Sequence, residues 1–182
     1  RLKRENIDWV VTLFLVFIHA GSLLALVPAF FSWQGLAICA VMHWFTCSIG
    51  VCLGYHRFLS HKSMKLRTPA KFFVMMAGCL SGEGSPMTWA ATHRRPHPKS
   101  DQDGDPHSPL LGTWWSHLLW LFVKRRPEDK QLMFRKYIPE LVEQPMMQFF
   151  ERTFAMWLWV QGFVLLGVGY ALNGWMLGAS LV

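Results

Sequence analysis

Four histidines stand in two short clusters of this 182-residue chain, His56-Arg57-Phe58-Leu59-Ser60-His61 and His93-Arg94-Arg95-Pro96-His97. Neutral imidazole is the commonest protein ligand for mid-row transition metals, and two such clusters can offer several nitrogens to iron or zinc without a carboxylate. Taken singly, each pair is more often a hydrogen-bonded structural histidine than a ligand. Their joint placement, just past a long apolar segment, reverses that preference. His93 and His97 are four residues apart, about 40° around an α-helix, and can grip one ion from the same face. His56 and His61 are five apart, about 140° around an ideal α-helix. For those two to share an ion, the helix must unwind; otherwise the rings serve different partners.

Other residues of the right chemical type are set aside by their spacing. Asp101, Asp103 and Asp105 suggest the opening of an EF-hand loop, but its sixth position is Pro106 rather than Gly and its twelfth is Gly112 rather than Glu, so calcium binding is rejected. Gly82-Glu83-Gly84-Ser85 is neither a phosphate loop nor a nucleophile elbow, and reads as a tight turn from which Pro86 starts a helix. Cys39, Cys47, Cys52 and Cys79 form no CxxC pair and read as small packing residues rather than a disulfide framework or zinc ribbon.

The elements that must carry the histidines read as membrane helices. A mean hydropathy of +0.23, 52% hydrophobic residues and ten Trp exceed what a soluble domain of this length needs for its core. Trp9 to Phe31 carries no charged side chain, and neither does Gln34 to Tyr55. At about 1.5 Å per residue either run crosses a hydrocarbon core of about 30 Å. Residues 9–31 and 34–55 are therefore expected to form an antiparallel transmembrane hairpin, returning at Ser32-Trp33 just after Pro28. The first run is too long for a cleaved signal peptide, and no small-residue cleavage site precedes the second. A third uncharged run, Thr153 to Val182, is longer than one span and shorter than two. Asn173-Gly174 divides it into a third helix over 153–172 and the opening of a fourth over 175–182, as in a truncated chain.

Fifteen of the eighteen Lys and Arg lie between Arg57 and Arg152, and the other three precede the first span. The positive-inside rule then puts the amino terminus and residues 56–152 on the cytoplasmic side. Within that region Pro69 to Leu80 and Gly112 to Val123 are apolar but too short to span, and suit the interface or a re-entrant path. Trp114, Trp115 and Trp120 favour the headgroup level, and Lys124-Arg125-Arg126 directly afterwards would anchor against anionic phosphate. The net charge of +6 over residues 56–152 would draw a negatively charged substrate head or an acidic redox partner. Nucleic acid is not expected as a partner. With no repeat and no Gly/Ser linker, the whole of 1–182 reads as a single domain: an all-α integral membrane protein, antiparallel hairpins carrying a cytoplasmic helical cap with the histidine clusters.

Leu53-Gly54-Tyr55-His56-Arg57-Phe58-Leu59-Ser60-His61, Trp89-Ala90-Ala91-Thr92-His93-Arg94-Arg95, Ser100-Asp101, Gly104-Asp105-Pro106-His107-Ser108-Pro109 and Trp115-Ser116-His117 occur in order along the chain. They resemble successive landmarks of the membrane fatty acyl desaturases, the acyl-CoA or acyl-lipid enzymes of Δ9 and bacterial type, of which the chain would be an amino-terminal fragment. That resemblance implies a membrane enzyme with a histidine-ligated di-iron centre. It would use O₂ as co-substrate and two electrons from a ferredoxin-, rubredoxin- or cytochrome b5-like donor to place a cis double bond in a saturated acyl chain. It assigns His56, His61, His93 and His97 as iron ligands, and places Trp89, Lys124 and Arg125 where the family handles the polar head of the acyl carrier. Asp105, His107 and His117 match landmarks outside the metal boxes and are expected to support ligands or to play structural roles rather than to be ligands.

Two positions depart from the family pattern. The second box normally reads HRxHH, and Pro96 stands where its middle histidine belongs; proline cannot ligate a metal and interrupts a helix. The third box, HxxHH in the carboxyl-terminal part of the family, has no counterpart, because no histidine follows His117. These 182 residues alone are expected to leave a di-iron site incomplete. A histidine-box hydroxylase of alkane or carotenoid type shares the boxes and spans, and only the Asp105-Pro106-His107-Ser108-Pro109 landmark argues against it. A degenerate, non-catalytic desaturase-like membrane protein is the other alternative.

Overall fold

The computed structural model of the protein describes residues 4–95 and 108–173. Pro96, His97, Asp101, Asp103, Asp105 and His107 lie outside the described residues, as does the expected fourth helix from Trp175. The described chain is helical. In order it comprises α1 (Trp9–Ser22), prolonged by a 3₁₀ turn (Leu23–Leu26), and α2 (Trp33–His43), which runs directly into a π-helical segment (Trp44–Ser60). There follow α3 (Thr68–Cys79), α4 (Pro86–Arg94), α5 (Thr113–His117), α6 (Pro127–Tyr137), α7 (Pro139–Val142) and α8 (Pro145–Asn173). Among the described residues the extended pairing is a single antiparallel bridge between Ile7 and Val123, where Asp8 N–H donates to Phe122 O at 2.7 Å and Lys124 N–H to Asn6 O at 2.8 Å. The entrance to α1 is thereby tied to the basic stretch at 124–126.

Among the described residues three helices are long and apolar enough to cross a membrane: Trp9–Leu26, Trp33–Ser60 and Pro145–Leu172, with mean hydropathies of 2.2, 1.9 and 1.6. Neither α1 nor α2 has a buried residue, and Val10, Phe17, Leu26 and Trp33 each expose more than 70% of their surface. In water such a surface would be an aggregation site, whereas against acyl chains it is the expected exterior. Side-chain oxygens start each element where the backbone needs them: Asp8 accepts from Val11 N–H, Ser32 from Gly35 N–H and Ser85 from Thr88 N–H.

The helix limits differ from the uncharged windows in ways that chemistry explains. The first helix ends at Leu26, not Phe31, because Pro28 follows and Val27 to Ser32 make the return. The second runs past Tyr55 to Ser60 and so includes His56. The third begins at Pro145, eight residues before Thr153. Glu151 and Arg152 delimit the uncharged run but do not end the helix, since the Glu151 carboxylate is met by Ser85, Thr88 and Lys130. The Gly112 to Val123 run is not one helix; at Leu118 (φ −133°) it breaks into α5 and a 3₁₀ turn, Leu119–Phe122.

The core lies between the π segment, α3, α4 and α6 to α8, around Tyr55, Met75, Cys79, Ile138, Met147 and Phe150. The π segment and α3 meet backbone to backbone. Gly50 abuts the main chain at Ala77 and Gly78, and the Tyr55 ring lies flat on Gly78, contacts that a methyl group would prevent.

Candidate metal centre

The wide winding of the second helix resolves the difficulty posed by the five-residue spacing. In an i→i+5 helix, residues five apart fall on the same face. The helix neither unwinds nor sends the rings to different partners: His61 N–H donates to His56 O at 3.0 Å, and the two Nε2 atoms approach to 3.0 Å in a hydrogen bond. The end of this segment has its carbonyls satisfied one by one. Ser60 Oγ donates to Tyr55 O at 2.9 Å, Ser63 donates to Arg57 O through both N–H and Oγ, and Arg94 Nη2 donates to Leu59 O.

The third imidazole comes from α4. Gly82 (φ +77°) and Gly84 (φ +116°) make the turn, Ser85 caps, and Pro86 begins the helix as expected. Seven residues after Pro86, His93 places its ring 4.8 Å from that of His56 and 5.6 Å from that of His61. Ligand nitrogens of His56, His61 and His93 all lie within 4.8 Å of one another. His56 and His93 are half-buried and His61 is exposed, so the cluster opens at one side. Three imidazole nitrogens at this spacing suit iron or zinc, and the donor set fits the metal that the sequence resemblance implies.

Trp89 stacks on His93 at 4.7 Å and 19°, and its indole N–H donates to Glu83 Oε2 at 3.0 Å. Tyr55 packs against Trp89 and donates from its hydroxyl to Gly84 O at 3.2 Å, tying the π segment to the turn that launches α4. Arg125 donates to Thr92 Oγ1 at 2.8 Å, one residue from His93, while Lys124 beside it is exposed. His117, at the end of α5, is exposed and does not belong to the imidazole cluster. The charge and histidine pattern missed Arg94, Glu140 and Glu151. Nothing local marks the two glutamates, whereas Arg94 sits inside the second motif and could have been singled out there.

Cys79 lies buried under Tyr55, whose hydroxyl meets its sulfur at 3.4 Å. Burial pushes its thiol up to about 11 against the hydrogen bond from Tyr55, which lowers it. The stability that the protonated thiol contributes is intact below pH 9.0 and is lost as pH rises toward about 11. Cys79 is therefore expected to resist alkylation at neutral pH in the folded protein and to react once the chain is denatured, as read by mass spectrometry. Rapid labelling of native Cys79 would contradict this placement.

The sequence is similar to those of known enzymes. The chain is 39% identical over 176 residues to the sn-2 palmitoyl-lipid 9-desaturase of Nostoc sp. (strain 36), covering 96% of this chain and 60% of that protein. It is 34% identical over 172 residues to the sn-1 stearoyl-lipid 9-desaturase of Anabaena variabilis, covering 94% and 61%. Over more than nine tenths of its length the chain is similar to members of the membrane fatty acyl desaturase family. Delta-9 acyl-lipid desaturase 1 of Arabidopsis thaliana is similar at 34% over 163 residues, 90% of this chain and 52% of that enzyme. No family model matches the chain. The chain thus spans about 60% of the length of these bacterial desaturases. Members of this family are oxidoreductases of lipid metabolism, and three apolar helices agree with a membrane setting.

Proposed function

We propose that the protein takes part in O₂-dependent desaturation of a saturated acyl chain, borne by a lipid or by coenzyme A, with His56, His61, His93 and His97 as ligands of an iron centre. The observation that carries this reading is the convergence of His56, His61 and His93 from two separate helices onto one point. When bound, iron would supply the redox chemistry with O₂ that removal of two hydrogens demands. The chain's own residues prepare for it. The Nε2 atoms of His56 and His61 stand 3.0 Å apart, and both must be free of a proton to ligate one ion. Stacking on Trp89 holds the His93 ring in a fixed plane. Lys124 and Arg125 would receive the negatively charged head of the acyl carrier, a role supported by the bond from Arg125 to Thr92 beside His93. The electron donor would be a small acidic redox protein drawn to the basic cap.

Support for a cytoplasmic cap comes from the ties between residues 6–8 and 122–124, which put the entrance of the first span on the side of the basic stretch. Pro96 tests the di-iron reading. In a chain that also carries the family's HxxHH box, the Pro96→His variant, which restores the HRxHH box, is expected to raise iron per chain and the unsaturated-acyl yield together in a host lacking its own desaturase. If the Pro96 protein already holds two irons and the histidine form gains nothing, the assignment of this box is wrong. Stoichiometric zinc without iron in active protein would overturn the metal assignment.

A further inference from the structure

Each histidine segment is followed at once by a cation: Lys62 after His61 and Arg94 after His93. Both cations converge on one carboxylate oxygen contributed by α7. Glu140 Oε1 lies 2.9 Å from Lys62 Nζ and 2.6 Å from Arg94 Nη1. Arg94 also donates to Tyr137 O at 3.0 Å and to Leu59 O, the carbonyl two residues before His61. Lys62 adopts a positive φ of +51°, the one non-glycine residue to do so among those described, at the point where the chain leaves the wide turn. Burial alone would raise the Glu140 carboxyl, but hydrogen bonds from Lys62 and Arg94 outweigh it and hold it below its ordinary value.

We propose that Glu140 is a positioning residue for the imidazole cluster: through Lys62 and Arg94 it holds the two histidine segments in the register that brings their rings together. The proposal rests on the metal reading of that cluster. It does not require Glu140 to stabilise the fold appreciably. The Lys62 and Glu140 side chains are 62% and 36% exposed, and ion pairs that open to solvent add little to stability. Orientation is a different matter, because groups that support metal ligands from outside commonly govern affinity by about 10–100-fold.

The test is Co²⁺ binding by the full chain in detergent, followed by its visible absorption and by competition with a chromophoric chelator. Circular dichroism of each variant reports folding. Glu140→Gln is expected to weaken Co²⁺ about tenfold and to alter the ligand-field bands at unchanged helicity. Glu140→Asp should recover part of both. Lys62→Gln, which removes one tie at an exposed side chain, should give a smaller loss in the same direction and serves where Glu140→Gln lowers helix content. Unchanged affinity and spectrum in both Gln variants, while His93→Ala loses the metal, would overturn the role of Glu140 and leave the metal site standing. Absence of Co²⁺ binding by the unaltered chain would instead overturn the metal reading, and this proposal with it.

Discussion

Replacing His93 with Ala in a chain that also carries the family's HxxHH box is expected to abolish iron binding and acyl desaturation while leaving membrane insertion and helix content intact. His93 is the contribution of α4 to a cluster whose other two described members sit at the end of the π segment, His56 in its last turn and His61 just past it. Removing it leaves His56 and His61 as the only described imidazoles of the cluster and takes away the ligand that α4 brings to them. The loss should exceed the roughly 10–100-fold that follows removal of a group merely supporting a ligand. The spans carry the insertion energy and do not contain His93, so the variant should extract from membranes as the parent does. Ala also leaves the indole of Trp89 without its stacking partner, a smaller effect at a half-buried position. Iron per chain and unsaturated-acyl yield in a desaturase-deficient host check this. Undiminished desaturation by His93→Ala would remove the histidine cluster from the chemistry.

The second large effect is expected at Gly50. A Cβ built there would overlap the Ala77 carbonyl carbon and the Gly78 nitrogen, which are backbone atoms that cannot swing aside. Gly50→Ala must push α3 away from the π segment, loosening the seat of Tyr55 and with it the turn that launches α4. Overpacking of a tight contact costs about 1–3 kcal/mol, and a clash with main chain belongs at the upper end. Gly21 supplies the internal control, since no atom lies within 4 Å of its Cβ position in α1. There Ala is expected to be neutral or to stabilise by up to about 1 kcal/mol through helix propensity. Thermal melts in detergent should separate the two variants. Equal melting points would show that the helices can part without cost.

The all-α membrane class, the approximate places of three apolar helices, and the pairing of two histidine clusters were all legible from hydropathy and spacing. What was not legible has physical causes. Charge-free windows miss the start of α8, because a carboxylate such as Glu151 can enter a helix end when three partners from other elements satisfy it. They also stop the second helix short of His56, since Arg57 is charged yet still helical. Standard α winding made His56 and His61 an awkward pair, and a π segment of 17 residues is too rare to expect from composition. Glu140 belongs to the same kind of omission. Its role comes from where α7 lies relative to residues 62 and 94, more than forty positions away, and no local pattern carries that information.

The wide turn also makes the HxxxxH spacing a gauge of backbone pitch. Two rings five residues apart meet only while the chain keeps its i→i+5 bonds, and on an ordinary helix the same meeting would require HxxxH. Narrowing this segment to ordinary α winding would therefore swing the two rings about 140° apart. Read in reverse, a five-residue histidine interval at the mouth of an apolar segment is a written sign that the helix bearing it has dilated, and a bound ion would act as the rivet that keeps the coil at that diameter.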